Sequence, residues 1–298
     1  MAVLIKKNTL IRTICFMSLF VAINVLCSFL TTIIPLLSVI LIIFLPLTSA
    51  IVEITCKDRW FIIYAFATLG LSIVVSLSSI DFTLFYIVPS VFTGYIFGFF
   101  LKNKLPSMFA IFFASIIQTL ITFLFIPLIQ LFSGTNMIDV FAKILRISNR
   151  IWFDRVVLLL FFIISLIQTI LSFIVVENEL KKFGYVNDCE FNQEKVADYS
   201  ALAFALLSIL FAFFYVPISY LCIGVSFFFT VFIISFQVKS KNKISLAIDG
   251  ASLLIGLILY AALNKFLQNG TDLVIFITIP VLISSFSISY SFLKKSRQ

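Results

Sequence analysis

Long apolar runs follow one another along almost the whole chain, and each is about as long as a membrane-spanning helix. Such a helix needs about 20 apolar residues. Stretches poor in Asp, Glu, Lys and Arg lie at about 13–33, 36–55, 60–80, 82–101, 107–132, 156–176, twice within 199–238, and at 244–264 and 273–293. The pattern predicts an all-α, polytopic transmembrane helix bundle of about ten spans. Eight or nine spans is the alternative, because Asp249 interrupts the ninth run.

One sizeable polar stretch divides these runs into two groups. Six runs precede it and four follow it. We therefore predict a six-span membrane domain at 1–180, a cytoplasmic linker at 181–198 and a four-span membrane domain at 199–298.

The Lys and Arg residues predict the orientation of the chain. If the N-terminus is cytoplasmic, the inner segments hold sixteen of these residues and the outer segments five. Cytoplasmic loops of membrane proteins carry this excess. We therefore expect a multi-pass protein of the cell membrane with both termini in the cytoplasm. The net charge of +8 is then topological, so the lipid bilayer is an expected partner and nucleic acid is not.

The composition excludes several kinds of catalytic site. Of the 298 residues, 62% are hydrophobic and 11% charged, whereas a soluble domain has about 25% charged residues. The chain has no His, no CxxC pair and no GxxxxGK[ST] motif. A Ser-His-Asp triad, a His-liganded metal and a P-loop are thereby excluded. We expect no enzyme activity, no metal and no cofactor.

The segment 134–155 breaks the charge rule, since it would lie outside yet carries four of the five outer cations. Its apolar and basic residues recur at steps of three and four, which predicts one amphipathic helix. This helix lies in the membrane interface with Trp152 at the headgroups, or it covers a site and offers Arg146 or Arg150 to an anionic ligand. Gln118 and Gln168, on the two adjacent spans, line a small-molecule cavity or bond to each other or to backbone.

Small residues four positions apart let two helices approach closely in lipid. Such pairs predict helix packing or docking faces at Ser18 and Ala22, Gly94 and Gly98, and Ala110 and Ala114. Packing within the chain is the simpler interpretation of each pair.

Three segments have a familiar layout. The first span holds Ser18-Leu-Phe-Val-Ala22, the fourth reads Tyr86-Ile-Val-Pro89-Ser-Val-Phe-Thr-Gly94-Tyr-Ile-Phe-Gly98, and Glu179-Leu-Lys-Lys-Phe-Gly184-Tyr185 follows the sixth. The N-terminal half resembles the substrate-binding S-components of energy-coupling-factor (ECF) transporters. The whole chain resembles the YybS-like family of bacterial membrane proteins, which add C-terminal spans to an S-component-like half.

The resemblance implies a transport component that binds a small molecule and works with separate ATPase and coupling subunits. S-components dock on their membrane partner through an Ala-x-x-x-Ala pattern, and this chain has Ser18-x-x-x-Ala22 instead. The alternative function is a structural or assembly membrane protein that binds other proteins and transports nothing.

Overall fold

The computed structural model describes residues 10–34, 37–56, 58–76, 83–134, 136–147, 150–185, 193–239, 243–263 and 276–296. All secondary structure in these ranges is helical. The α-helices are α1 (Leu10–Ile33), α2 (Leu37–Thr55), α3 (Asp58–Val75), α4 (Val88–Lys102), α5 (Ser107–Ser133), α6 (Met137–Ile144), α7 (Arg150–Lys182), α8 (Gln193–Phe214), α9 (Val216–Lys239), α10 (Lys243–Leu263) and α11 (Thr278–Ser296). A π-helical turn, Thr83–Ile87, leads directly into α4.

The helices are those of a multi-pass membrane protein. Seven helical stretches are long and apolar enough to cross a bilayer, and α2, α10 and α11 contribute three shorter apolar stretches, all within the described ranges. Large apolar side chains point outward, such as Phe66 at 76% and Phe213 at 85% exposure. Such a surface is stable in lipid and would be unfavourable in water.

The chain forms two compact units. The N-terminal unit comprises Met1–Arg146 and Ile163–Cys189, and the C-terminal unit comprises Ile147–Phe162 and Glu190–Gln298. The division differs from the predicted one because the first part of α7 packs with the C-terminal helices. Both neighbouring helices extend into the predicted linker 181–198, since α7 continues to Lys182 and α8 begins at Gln193.

Helices α2 and α4 pack very closely in the N-terminal unit. Gly94 of α4 faces the backbone oxygen of Pro46 and the Cβ of Ser49, and Gly98 faces Ala50 and Glu53. A Cβ atom on either glycine would come closer to these neighbours than real Cβ atoms do. The absence of a side chain therefore sets the distance between the two helices.

Helices α8 and α9 form an antiparallel hairpin in the C-terminal unit. The chain turns at Tyr215, between the end of α8 and the start of α9. Ser219 Oγ donates to the backbone oxygen of Ser208 at 2.8 Å, and Ser226 Oγ donates to that of Ala201 at 2.8 Å. Ala201 and Ala205 are fully buried, so the small side chains of α8 allow this approach.

Candidate functional site

One face of α1 is buried, and its chemistry changes along the helix. The buried positions recur every three or four residues, which keeps them on one side: Thr13, Met17, Val21, Asn24, Ser28 and Thr31. Met17 and Val21 pack in an apolar cluster with side chains of α2 and α3. The last three buried positions are polar, although apolar residues would cost nothing in a bilayer.

Helix α3 has the same gradient. Its buried positions are Phe61, Tyr64, Thr68 and Ser72. Because α2 connects them, α1 and α3 run in the same direction across the bilayer. Asn24 Nδ2 donates to Tyr64 Oη at 2.6 Å and fixes the level at which the two helices meet. The polar ends therefore coincide, and we call this set the polar seam: Asn24, Ser28, Thr31, Tyr64, Thr68 and Ser72.

Helix α2 closes the apolar end of the polar seam. Thr48 Oγ1 donates to Asn24 Oδ1 at 2.9 Å, and Ser49 Oγ lies 3.2 Å from Tyr64 Oη. Tyr64 is 1% exposed. In lipid each of these polar groups must find a partner within the protein, and the three helices supply one another's.

Some hydroxyls of the polar seam lack the partners that their neighbours have. A helical hydroxyl commonly bonds to a carbonyl of its own helix. Thr31 Oγ1 does so to Ser28 at 2.7 Å, and Ser76 Oγ to Ser72 at 2.7 Å. The hydroxyls of Ser28 and Ser72 are themselves buried and have no hydrogen-bond partner within the described residues. A buried polar group without a partner costs free energy that a bound ligand can offset.

The π-helical turn lies beside this end of the polar seam. Thr83–Ile87 packs against α1, α2, α3, α4 and α5. Its Thr83 hydroxyl bonds to that of Ser76, which follows α3 directly. Single π turns are rare and are frequent at functional sites. The polar seam contains hydroxyl and amide groups and no charge.

Gln118 of α5 and Gln168 of α7 are close together, as one of the sequence alternatives predicts. Gln118 Nε2 donates to Gln168 Oε1 at 2.5 Å, and Thr93 Oγ1 donates to Gln118 Oε1 at 3.5 Å. Gln118 is 4% exposed. The two amides therefore join α5 and α7 to each other, and α4 to both.

The segment 134–155 is not one continuous helix. Helix α6 ends at Ile144, and α7 begins at Arg150. Arg146 is exposed and has a φ of +54°, a left-handed conformation that ends a helix. Trp152 is 39% exposed in the first turn of α7, and the side chain of Arg150 lies outside the described part of the chain.

The small-residue pairs fall into two classes. Gly94 and Gly98 lie against α2, and Ala110 and Ala114 are fully buried in α5. In contrast, Ser18 and Ala22 are exposed on α1, on the side opposite its buried face. Only this last pair faces away from the unit, so it is the one open to another protein or to lipid.

A charged cluster lies at the other end of the N-terminal unit. Lys102 Nζ is 3.2 Å from Glu53 Oε1 and 2.8 Å from Asp58 Oδ1. The side chain of Glu53 is fully buried, whereas those of Lys102 and Asp58 are 34% and 69% exposed. Lys102 thus joins the end of α4 to α2 and α3 and compensates the buried carboxylate.

Sequence reasoning missed most of the polar seam. Asn24 stands out as a polar residue within a span, but Ser28, Tyr64 and Ser72 do not stand out among the many Ser and Tyr residues of this chain. The signal that could have found them is the spacing of polar residues at 24, 28 and 31 and again at 64, 68 and 72. Both sets lie on one face of a helix.

Comparisons with protein-family models, with curated proteins and with solved structures find no match to this chain.

Proposed function

We propose that this chain is a membrane transport-associated protein that binds a small polar molecule in its N-terminal unit, along the polar seam. The observation that carries the proposal is the burial of hydroxyl groups without partners on two adjacent helices, at Ser28 and Ser72. A purely structural bundle would gain stability from apolar residues at these positions. Retaining costly polar groups there is typical of a binding site in a membrane protein.

The charge distribution gives the proposed site a direction. With both termini in the cytoplasm, α1 and α3 run outward, and the polar end of the seam faces the outside of the cell. A ligand would then enter from outside, as in uptake. The chain has no P-loop, so the energy for release would come from separate ATPase and coupling subunits, in the manner of the S-components that its N-terminal half resembles.

Thermal unfolding of the purified full chain in nanodiscs tests this proposal. Vitamins, nucleobases, polyols and small peptides are added one at a time. A ligand at 100 times its Kd stabilises the folded state by about 2.7 kcal/mol, which raises the Tm. We expect at least one compound to do so, and the shift to shrink in a Ser28→Ala, Ser72→Ala double variant.

Thr119→Val is the matched control. Thr119 is a buried hydroxyl of the same unit, and it bonds to the carbonyl of Ser115 in its own helix at 2.7 Å. This variant should keep the full ligand-induced shift. The site at the polar seam would be contradicted if no compound raises the Tm of the wild-type protein. It would also be contradicted if the ligand-induced rise in Tm shrinks equally in Thr119→Val and in the double variant.

The exposed pair Ser18 and Ala22 favours a second candidate, an assembly protein that binds partners in the membrane. Crosslinking in native membranes discriminates the two. ATPase and coupling subunits captured near Ala22 support the transport function, whereas stable partners of any other class favour assembly.

A further inference from the structure

Two acidic residues are buried within the C-terminal unit. Asp198 of α8 is 2% exposed and Asp249 of α10 is 3% exposed. Asp198 is the sixth residue of its helix and Asp249 the seventh of its own. At 1.5 Å per residue, both lie about 8–9 Å inside the beginning of a membrane helix. A carboxylate at such a place is costly and is commonly functional.

The packing of α11 brings the two carboxyls to one level. Ser287 Oγ of α11 donates to Asp198 Oδ2 at 3.0 Å. Gly256 of α10 faces Ile279 of α11. Because α10 and α11 are consecutive and antiparallel, Asp249, seven residues before Gly256, lies opposite position 286. Asp249 is therefore at about the level of Ser287, and its charge acts on that of Asp198.

Several oxygens of this cluster lack partners. Among the residues that the structure describes, neither Asp198 Oδ1 nor Asp249 Oδ2 has a hydrogen-bond partner. The hydroxyl of Ser284 is fully buried and also lacks one in the described ranges. Ser284 lies one turn from Ser287 on the same face of α11. Unsatisfied oxygens thus lie on three helices of the C-terminal unit, at similar levels along them.

Among the residues that the structure describes, the charges that act on Asp198 are those of two other acids, Glu194 and Asp249. Glu194, one turn before Asp198, adds a further negative charge that acts on it. Lys195 is exposed on α8. The sequence has no charged residue in α9 before Lys239 or in α11 before Lys294. Two adjacent carboxylates cannot remain uncompensated in an apolar bundle.

We propose that Asp198 and Asp249, with the hydroxyls of Ser284 and Ser287, form a binding site for a small monovalent cation, Na⁺ or a proton. Carboxylate and hydroxyl oxygens are hard ligands that suit such ions. Coupling ions in membrane transporters bind between helices in similar oxygen-rich places. The site belongs to the C-terminal unit and does not depend on the polar seam.

The sodium arm of the test measures thermal unfolding of the full chain at fixed pH and ionic strength. Na⁺ is compared with K⁺ and with N-methylglucamine as the only monovalent cation. If Na⁺ is the ligand, it raises the Tm in a saturable manner, and the shift is lost in Asp198→Asn and in Asp249→Asn. Glu179→Gln removes an exposed carboxyl of the N-terminal unit and should keep the shift.

The proton arm repeats the measurement without Na⁺ from about pH 5 to about pH 8. A proton bound only by the folded state makes the protein less stable as the pH rises. If the ligand is a proton, the two Asn variants lose most of this pH dependence and Glu179→Gln retains it.

Ser284→Ala provides a second test of the site if an Asn variant fails to fold. It removes a proposed ligand without touching a charge and should weaken the ion response several-fold. The proposal is overturned if neither Na⁺ nor pH changes the stability of the wild-type protein. It is also overturned if Ser284→Ala and both Asn variants respond as strongly as the wild-type protein. Because the Ser28→Ala, Ser72→Ala variant leaves this site intact, loss of ligand binding there and loss of the ion response are separable.

Discussion

Replacing Gly94 by Ala tests the close packing of α2 and α4, which holds the N-terminal unit together. A Cβ atom at this position would lie 2.5 Å from Ser49 Cβ and 3.1 Å from the backbone nitrogen of Ala50, and still closer to the backbone oxygen of Pro46. Backbone atoms cannot rotate away as the end of a flexible side chain can. The two helices must therefore separate at this crossing.

The cost follows from the separation. Carbon atoms pack best at about 3.5–4.0 Å, so the helices must move apart by about 1 Å. Each pair of atoms that loses optimal contact forfeits about 0.1–0.2 kcal/mol. A loss of some 10–20 pairs gives about 1–3 kcal/mol, which agrees with the usual cost of overpacking a core.

Gly70→Ala is the matched control, because a Cβ on this glycine of α3 meets nothing within 4 Å. Ala favours a helix over Gly by up to about 1 kcal/mol, so this variant should be neutral or slightly more stable. Both variants are compared by thermal unfolding in the same detergent. A Gly94→Ala protein as stable as wild type would refute the inferred contact of α2 with α4.

Two further predictions concern buried polar groups. Lys102→Met leaves the buried carboxylate of Glu53 without its cation and should destabilise the protein by about 1–3 kcal/mol, less than a fully buried pair because Lys102 is 34% exposed. Asp58→Asn should cost less than about 1 kcal/mol, since Asp58 is 69% exposed. If Lys102→Met and Asp58→Asn reduce the free energy of unfolding equally in denaturant, the compensation of Glu53 by Lys102 is contradicted. Tyr64→Phe removes the hydroxyl that accepts from Asn24 and should cost about 0.6–1.7 kcal/mol, the range for hydrogen bonds between membrane helices. A variant whose Tm equals that of the wild-type protein would contradict this bond.

The multi-pass helical character could be predicted from the sequence because it depends on local hydropathy. The run predicted at 36–55 corresponds to α2, Leu37–Thr55, and the two runs predicted within 199–238 correspond to α8 and α9. A run of apolar residues needs no knowledge of its neighbours to be recognised. The grouping of helices into units depends on packing between them, and residues 147–162 show that it does not follow from the position of a polar linker.

Asp198 shows where local reasoning is insufficient. By sequence it belongs to a charged stretch and is assigned to a linker. In the structure α8 begins at Gln193, because Glu194, Lys195 and Ala197 are good helix formers. The helix therefore carries Asp198 into the unit, where it accepts from Ser287, 89 residues away in the chain. Such a long-range contact has no signal in a single sequence.

The polar seam could be predicted in part. The spacing of Asn24, Ser28 and Thr31 identifies one polar face of α1. That this face meets α3 at the level of Tyr64 is set by the packing of three helices, which hydropathy does not report.

The most direct test of the proposed function is to identify what the protein carries when it is purified from membranes. The full chain is isolated, denatured to release bound compounds, and the extract is analysed by mass spectrometry beside the Ser28→Ala, Ser72→Ala and Thr119→Val variants. The proposal predicts an uncharged polar compound, enriched with the wild-type protein and with Thr119→Val and depleted from the double variant. An identical set of compounds from all three proteins would contradict a ligand site at the polar seam.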